Sequence, residues 1–311
     1  MSLNLVFFGT PELARVSLQA VLEAGHRVKA GVCQPDRPAG RGRKISSPPV
    51  AEACRLWEVE LLQPGSVKDG RFVDRIRSLK PDLLVTVAYG RILPPDLLET
   101  PGIMPLNLHF SLLPALRGAA PYNWALIRGM TRTGVTTIRM VPALDAGPIL
   151  MQRATDIGPR ETAQELAARL SGLGAGLLVE TLDRLEKDLL QPYPQDESLV
   201  SLAPPLKPED GWLDPSLKAR ELYDRARGVI PWPGPSLALG RRRLKVFDLA
   251  FDRDRPLGRP GEVVGLEEQG LKVACGEGHL FLGRIQHPGK KPVLATQAVG
   301  GAGPRPGDIL A

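Results

Sequence analysis

Cysteine is scarce. Cys33, Cys54 and Cys275 are the three in 311 residues, far apart and odd in number. They have no zinc-ligand spacing and cannot frame a disulfide-stapled fold, so a reducing cytoplasm is the expected setting. Of the four histidines, His26, His279 and His287 lack partners at metal-ligand spacing. His26 reads as an ordinary residue of a helix–strand connection. Long apolar runs are missing too: none approaches the roughly 20 residues of a membrane span. The opening MSLNLVFFGTPE has neither a basic leader nor a small-residue cleavage site, and reads as a buried first strand rather than a signal peptide. It also lacks the GxGxxG spacing of a dinucleotide site. No repeat of fixed period is present.

What remains is an ordinary globular composition, 43% hydrophobic and 24% charged. The length suggests two domains. The net charge is +6, mildly basic and compatible with a polyanionic partner. Residues 206–311 hold 17 basic and 13 acidic side chains, against 23 and 21 in residues 1–205, so the shorter part carries most of the excess.

Along the chain, LNLVFFG (3–9) ends in glycine as a buried parallel strand does. Thr10-Pro11-Glu12 then suits a helix start, with Thr10 as cap and Pro11 at the first helical position. Strands are expected at 28–33, 59–62, 82–90, 103–110, 134–141 and 148–155, and helices around 13–24, 72–79, 122–129 and 161–190. This order predicts an α/β fold: a Rossmann-like, mostly parallel sheet with helices on both faces and its site beyond the carboxyl ends of the strands. The proline-rich stretch 191–207 reads as a linker between a domain over 1–190 and another over 208–311. After a helix near 216–228, short strands separated by Gly and Pro predict a small OB-like β-barrel.

NLHFSLLPALRGAAP (107–121) carries the chemistry. Side chains alternate along a strand, so Asn107 and His109 share a face, and Leu106, Leu108 and Phe110 take the other. An imidazole moves protons near neutral pH, and an amide can donate to a developing oxyanion. The pair fits attack on a carbonyl. It equally fits two satisfied polar residues at a strand end. Asp145, in VPALDAGPIL, either orients a histidine or forms a turn before Gly147, and spacing alone does not join it to His109.

The stretch NLHFSLLP, with LDAGPIL and VAYGRILP, resembles the signature of the 10-formyltetrahydrofolate-dependent formyltransferases. The likeness extends over nearly the whole chain toward the members that formylate initiator methionyl-tRNA: FFGTPELA, QPDRPAGRGRK, PWPGP and KVFDLAF all have counterparts there. The resemblance implies catalytic roles for Asn107, His109 and Asp145, with a protonated His109 helping Asn107 to stabilise the oxyanion. It implies folate contacts at Ser111, Leu112, Leu113, Pro114, Arg91 and Ile92. Three positions depart from the family pattern: Phe110 stands where a small residue is frequent, and Ala115-Leu116 replace a basic–aromatic pair. The co-substrate implied is 10-formyltetrahydrofolate, with no metal, in a cytoplasmic, monomeric, membrane-free enzyme of translation initiation.

QPDRPAGRGRK is also basic in its own right. Arg37, Arg41, Arg43 and Lys44 against Asp36 suit phosphate contacts, and Gly40 and Gly42 add flexibility. Without the neighbouring motifs it would read as a solvated loop; the resemblance makes it a tRNA contact led by Arg41. Arg241 and Arg243 on a barrel strand, and Lys207 beside Pro204-Pro205 where the family often has lysine, complete the expected tRNA set. The basic loop and the C-terminal domain argue against a glycinamide ribonucleotide formyltransferase or a formyl-folate hydrolase. The complete Asn-His-Asp set argues against an inactive RNA-binding relative.

Overall fold

The computed structural model describes residues 3–39, 44–299 and 303–311. They divide into two compact units, 1–121 with 132–156 and 167–204, and 122–131 with 157–166 and 205–311. No described helix is long and apolar enough to cross a membrane.

Up to residue 186 the elements are β1 (Asn4–Gly9), α1 (Glu12–Glu23), β2 (Arg27–Val32), β3 (Arg37–Ala39), β4 (Lys44–Ser46), α2 (Pro49–Leu56), β5 (Glu60–Leu62), α3 (Gly70–Ser78), β6 (Leu83–Val87), α4 (Pro95–Leu98), β7 (Met104–His109), α5 (Pro121–Ile127), β8 (Arg132–Arg139), β9 (Ile149–Asp156) and α6 (Ala163–Glu186). The first unit is built on a sheet of order β5-β2-β1-β6-β7-β8-β9. Its first five strands run parallel, and β8 and β9 are antiparallel additions. Strand alternation sends Val6, Phe8 and Leu84 toward Ile76 of α3 and Leu97 of α4. The other face receives α1, α2 and α6, at glycines that allow close approach. A Cβ on Gly9 would stand 2.5 Å from that of Ala14, one on Gly31 would lie 2.2 Å from Cys54 Sγ, and one on Gly174 would lie 3.0 Å from Leu108.

Two local expectations change. Thr10 does not cap α1: Pro11 is the N-cap, in extended conformation, and the Thr10 hydroxyl donates to the Tyr89 carbonyl, 3.0 Å away. Gln34 Nε2 donates to the same carbonyl at 3.3 Å, so one acceptor ties together the ends of β1, β2 and β6. His26 is no bland loop residue. It is buried, with Nε2 3.5 Å from an Asp183 carboxylate oxygen.

The stretch expected as a linker is ordered along the first unit. Tyr193 and Ile149 exchange backbone hydrogen bonds of 2.8 and 3.0 Å. Arg117 N–H donates to Ser201 O at 2.8 Å, and Ala203 N–H to Arg117 O at 2.7 Å. Polar side chains between its prolines find partners in the loop after β7, so it forms a strap rather than a spacer.

The second unit continues with α7 (Ala219–Gly228), β10 (Ser236–Leu239), β11 (Arg242–Phe251), β12 (Val263–Glu267), β13 (Gly270–Ala274), β14 (His279–Gln286), β15 (Val293–Leu294) and α8 (Ala295–Ala298). The strands form an antiparallel, OB-like curled half-barrel of order β10-β11-β14-β13-β12, with β15 on β14. Leu222 of α7 packs with Leu244, Val246, Val273 and Leu282 in its core. His279 is fully buried: Asp252 meets its Nδ1 at 2.9 Å and Leu257 N–H donates to its Nε2 at 3.0 Å, a structural pin.

Candidate active site

β7 pairs with Thr86 of β6 at Asn107 and with Thr136 of β8 at His109. The pleat sends Phe110 to the opposite face, where it meets Gly174 of α6; a bulky residue is accommodated there without intruding on the polar pair. The turn around Asp145 completes the group. Asn107 Nδ2 donates to Asp145 Oδ1 at 3.3 Å. Asp145 Oδ2 lies 3.6 Å from His109 Nδ1 and accepts from Gly118 N–H at 2.9 Å. The fold therefore makes the connection that spacing left open. The side chains of His109 and Asp145 are only 5% and 11% exposed, so water screens their interaction weakly.

His109 is the titratable ring of this group. Burial pushes its pKa below the ordinary imidazole value, against the opposing pull of the Asp145 carboxylate and the Leu116 carbonyl. That direction favours the neutral ring at pH 7. Its Nε2 lies 3.0 Å from Leu116 O; a carbonyl only accepts, so the hydrogen sits on Nε2. The Nδ1 lone pair faces Asp145, where it can receive a proton. In this arrangement the Nε2 hydrogen is engaged by the backbone and is not aimed at an oxyanion.

The loop after β7 is held from within. Ser111 is fully buried and its hydroxyl donates to Ala115 O at 2.6 Å, so its side chain supports the turn. Leu113 is buried against Ile138 and Ile149 and likewise serves as scaffold. Thr136 Oγ1 donates to Ser111 O at 2.6 Å and accepts from Leu113 N–H at 3.2 Å. Gln152 Nε2 donates to Leu113 O at 2.8 Å. Thr136 and Gln152 drew no notice in the sequence; Thr136 lies on β8, which pairs with β7, and Gln152 on β9, which pairs with β8. At the Ala115 and Leu116 departures, the backbone carbonyls accept from Ser111 and His109. Leu116 and Asp145 adopt φ of 64° and 50°, a conformation rarely taken without glycine and concentrated at functional sites.

Arg117, Gly118 and Gln195 were also missed. Arg117 is buried, and its guanidinium donates to Gln195 Oε1 at 2.8 and 3.0 Å and to Glu197 at 2.8 and 3.2 Å. This holds the Glu197 carboxyl below its usual range. The Arg-Gly pair directly after the motif was the available signal.

On the expected folate side, one Arg91 nitrogen donates to the Gly65 carbonyl at 2.7 Å. Ile92 and Leu144 are exposed apolar side chains at 75% and 61%, and Leu112 and Pro114 are half-buried. Thr86 Oγ1 and Tyr89 Oη are buried without a hydrogen-bond partner among the described residues. The exposed apolar side chains of Ile92 and Leu144 suit an aromatic ligand. Two surface grooves of about 300 and 280 Å³ lie elsewhere, and neither is lined by Asn107, His109 or Asp145. Among the described residues no group of three or more His, Cys, Asp or Glu is placed to hold a metal.

Of the expected tRNA contacts, Arg41 and Arg43 lie outside the described residues, as does the rest of 40–43. The flanks of that loop are an antiparallel ribbon: Arg37, exposed, pairs in register with Ser46, and Ala39 with Lys44. Its base is fixed by Gln63, whose amide donates to Gln34 O and Asp36 Oδ1 at 3.1 and 2.7 Å. In the second unit Lys207 and Arg241 are exposed. Arg243 is half-buried. It stacks over Trp212 at 4.9 Å and its Nε donates to Ser236 Oγ at 3.0 Å, while one terminal nitrogen has no hydrogen-bond partner among the described residues.

The formyl transferase model matches residues 3–182, and the formyl transferase C-terminal domain model matches 205–303. Methionyl-tRNA formyltransferase of Citrifermentans bemidjiense is 43% identical over 99% of this chain and 96% of the relative. That of Moorella thermoacetica is 42% identical over 99% of each. Among solved structures, a Helicobacter canadensis N-formyltransferase in complex with folinic acid and dTDP-3-aminofucose superposes with a TM-score of 0.69 at 14% identity, covering 92% of this chain and all of that one. HypX from Aquifex aeolicus in complex with tetrahydrofolic acid gives 0.65 at 18%, covering 96% of this chain and 47% of that one. At such identity these two share the fold alone. With both models matched in order and full-length relatives above 40% identity, the chain belongs to the formyl transferase family.

Proposed function

We propose that this enzyme transfers the formyl group of 10-formyltetrahydrofolate to the α-amine of methionine on initiator methionyl-tRNA, in support of translation initiation, and that Asn107, His109 and Asp145 carry the reaction. The observation behind the site is the convergence of an amide, a neutral imidazole and a carboxylate at the end of β7. The acceptor rests on the activity named for the full-length relatives, with the basic ribbon at 37–46 and the second unit in support.

The free amine attacks the formyl carbon, giving a tetrahedral oxyanion. The Asn107 amide donates to that oxygen; a single such donor is worth about 10²–10³ in rate. The nitrogen that attacked becomes cationic and loses a proton to the His109–Asp145 pair. The imidazolium formed at Nδ1 is then held by Asp145 on one edge and by the Leu116 carbonyl on the other. Collapse breaks the bond to N10 of the folate, which takes back a proton as it leaves. The pterin and its tail lie against Ile92, Leu144 and the Leu112–Pro114 turn. Arg37, Arg41, Arg43, Lys44, Lys207 and Arg241 meet the tRNA backbone, and the enzyme acts as a cytoplasmic monomer.

A radiolabelled formyl-transfer assay offering methionyl-tRNA, glycinamide ribonucleotide or water as acceptor tests this. Label is expected in methionyl-tRNA. Preferential transfer to either alternative would reassign the substrate.

A further inference from the structure

Asp145 is held at its carboxylate by the groups it serves, so something else must hold its backbone. Both hydrogens of one side-chain amide do so: Gln195 Nε2 donates to Asp145 O at 2.7 Å and to Gly147 O at 2.8 Å. The other end of the same amide, Oε1, accepts twice from Arg117, at 2.8 and 3.0 Å. Arg117 lies between the two residues that reach the reacting groups from the loop side: Leu116, whose carbonyl takes the His109 hydrogen, and Gly118, whose N–H binds the Asp145 carboxylate. One orientation of the Gln195 amide satisfies all four bonds, and it spans both segments that set the His109–Asp145 geometry. Without this clamp the turn would rest mainly on the Gly118 and Asn107 contacts, while Asp145 occupies an unfavourable φ of 50°.

We infer that Gln195, carried on the 191–204 strap, is a positioning residue that locks the Asp145 turn to the 116–118 loop and so fixes the catalytic pair. This rests on the reading of Asn107, His109 and Asp145 as the reacting set. The strap is then part of the working site, and any force that lifts it disarms the enzyme without touching a reacting group.

Gln195→Glu separates positioning from simple support. A carboxylate keeps an ion pair with Arg117, so the strap stays docked, yet it presents oxygen to two carbonyls and opens the turn. A misplacement of about 1 Å at reacting groups can cost ~10²-fold. In the full-length enzyme, kcat is expected to fall 10- to 100-fold, with KM for both substrates and the thermal midpoint little changed. The acid limb of the kcat profile should also move to lower pH, because Asp145 is what opposes the effect of burial on His109. If Gln195→Glu folds poorly, Gln195→Met, similar in volume but without the hydrogen bonds, is read in the same way. Unchanged kcat and pH profile in the folded variant, beside an inactive Asp145→Asn, overturns this inference alone. An active Asp145→Asn overturns the catalytic reading and this inference with it.

Discussion

Gly118 meets three demands at once. Its N–H binds the Asp145 carboxylate, its φ of 131° lies where side chains are rarely tolerated, and a Cβ there would stand 2.4 Å from the Ala203 carbonyl oxygen. Gly118→Ala should therefore destabilise the enzyme by about 1–3 kcal/mol and lower turnover more than substrate affinity, as denaturant midpoints and steady-state kinetics will show. Stability and turnover both at the parent level would mean that the strap does not press on this loop. Individual residues were legible in the sequence to the extent that their chemistry lies in the side chain. Asn107 and His109 could be paired by alternation alone. Leu116, Gly118 and Ser111 act through a carbonyl, an N–H and an inward hydroxyl, none of which residue type reveals. The downward shift of the His109 pKa was hidden too, since it follows from burial.

Among the elements, the basic stretch after β2 shows what composition misses. It promised a flexible loop, yet its flanks pair as β3 and β4, and its base is pinned through Asp36, whose carboxyl is held below its usual range by hydrogen bonds from Gln63 and Ser47. Arg41→Ala is expected to raise KM for tRNA, leave KM for the folate substrate unchanged, and reduce the dependence of log KM on log salt by roughly one phosphate contact. Unaltered tRNA kinetics and salt slope would remove the loop from acceptor binding. The stretch 191–207 was expected as a linker, and the order found over 191–204 was hidden for a related reason. Proline and polar residues mark a spacer when nothing is available to bond them, and only the folded loop after β7 supplies those partners.

Taken whole, the molecule was legible where apolar pattern decides structure. Buried runs at β1, β6 and β7, alternating with amphipathic segments, are enough to predict a parallel sheet covered on both faces, and short strands between glycines predict the OB-like half-barrel. The antiparallel attachment of β8 and β9 could not be read, because strand direction leaves no mark on side-chain periodicity. Nor could the grouping of 122–131 and 157–166 with the second unit, which depends on tertiary contacts. The placement of the site at the carboxyl ends of the parallel strands follows from that sheet, and the account depends on what stands there. Single-turnover formyl transfer by purified Asn107→Ala tests it most directly. The substitution removes the amide proposed to receive the oxyanion while leaving Leu108 and Phe110 packed on the other face of β7. The rate constant for transfer should fall about 10²–10³-fold with the thermal midpoint essentially unchanged; transfer at close to the parent rate would contradict the account.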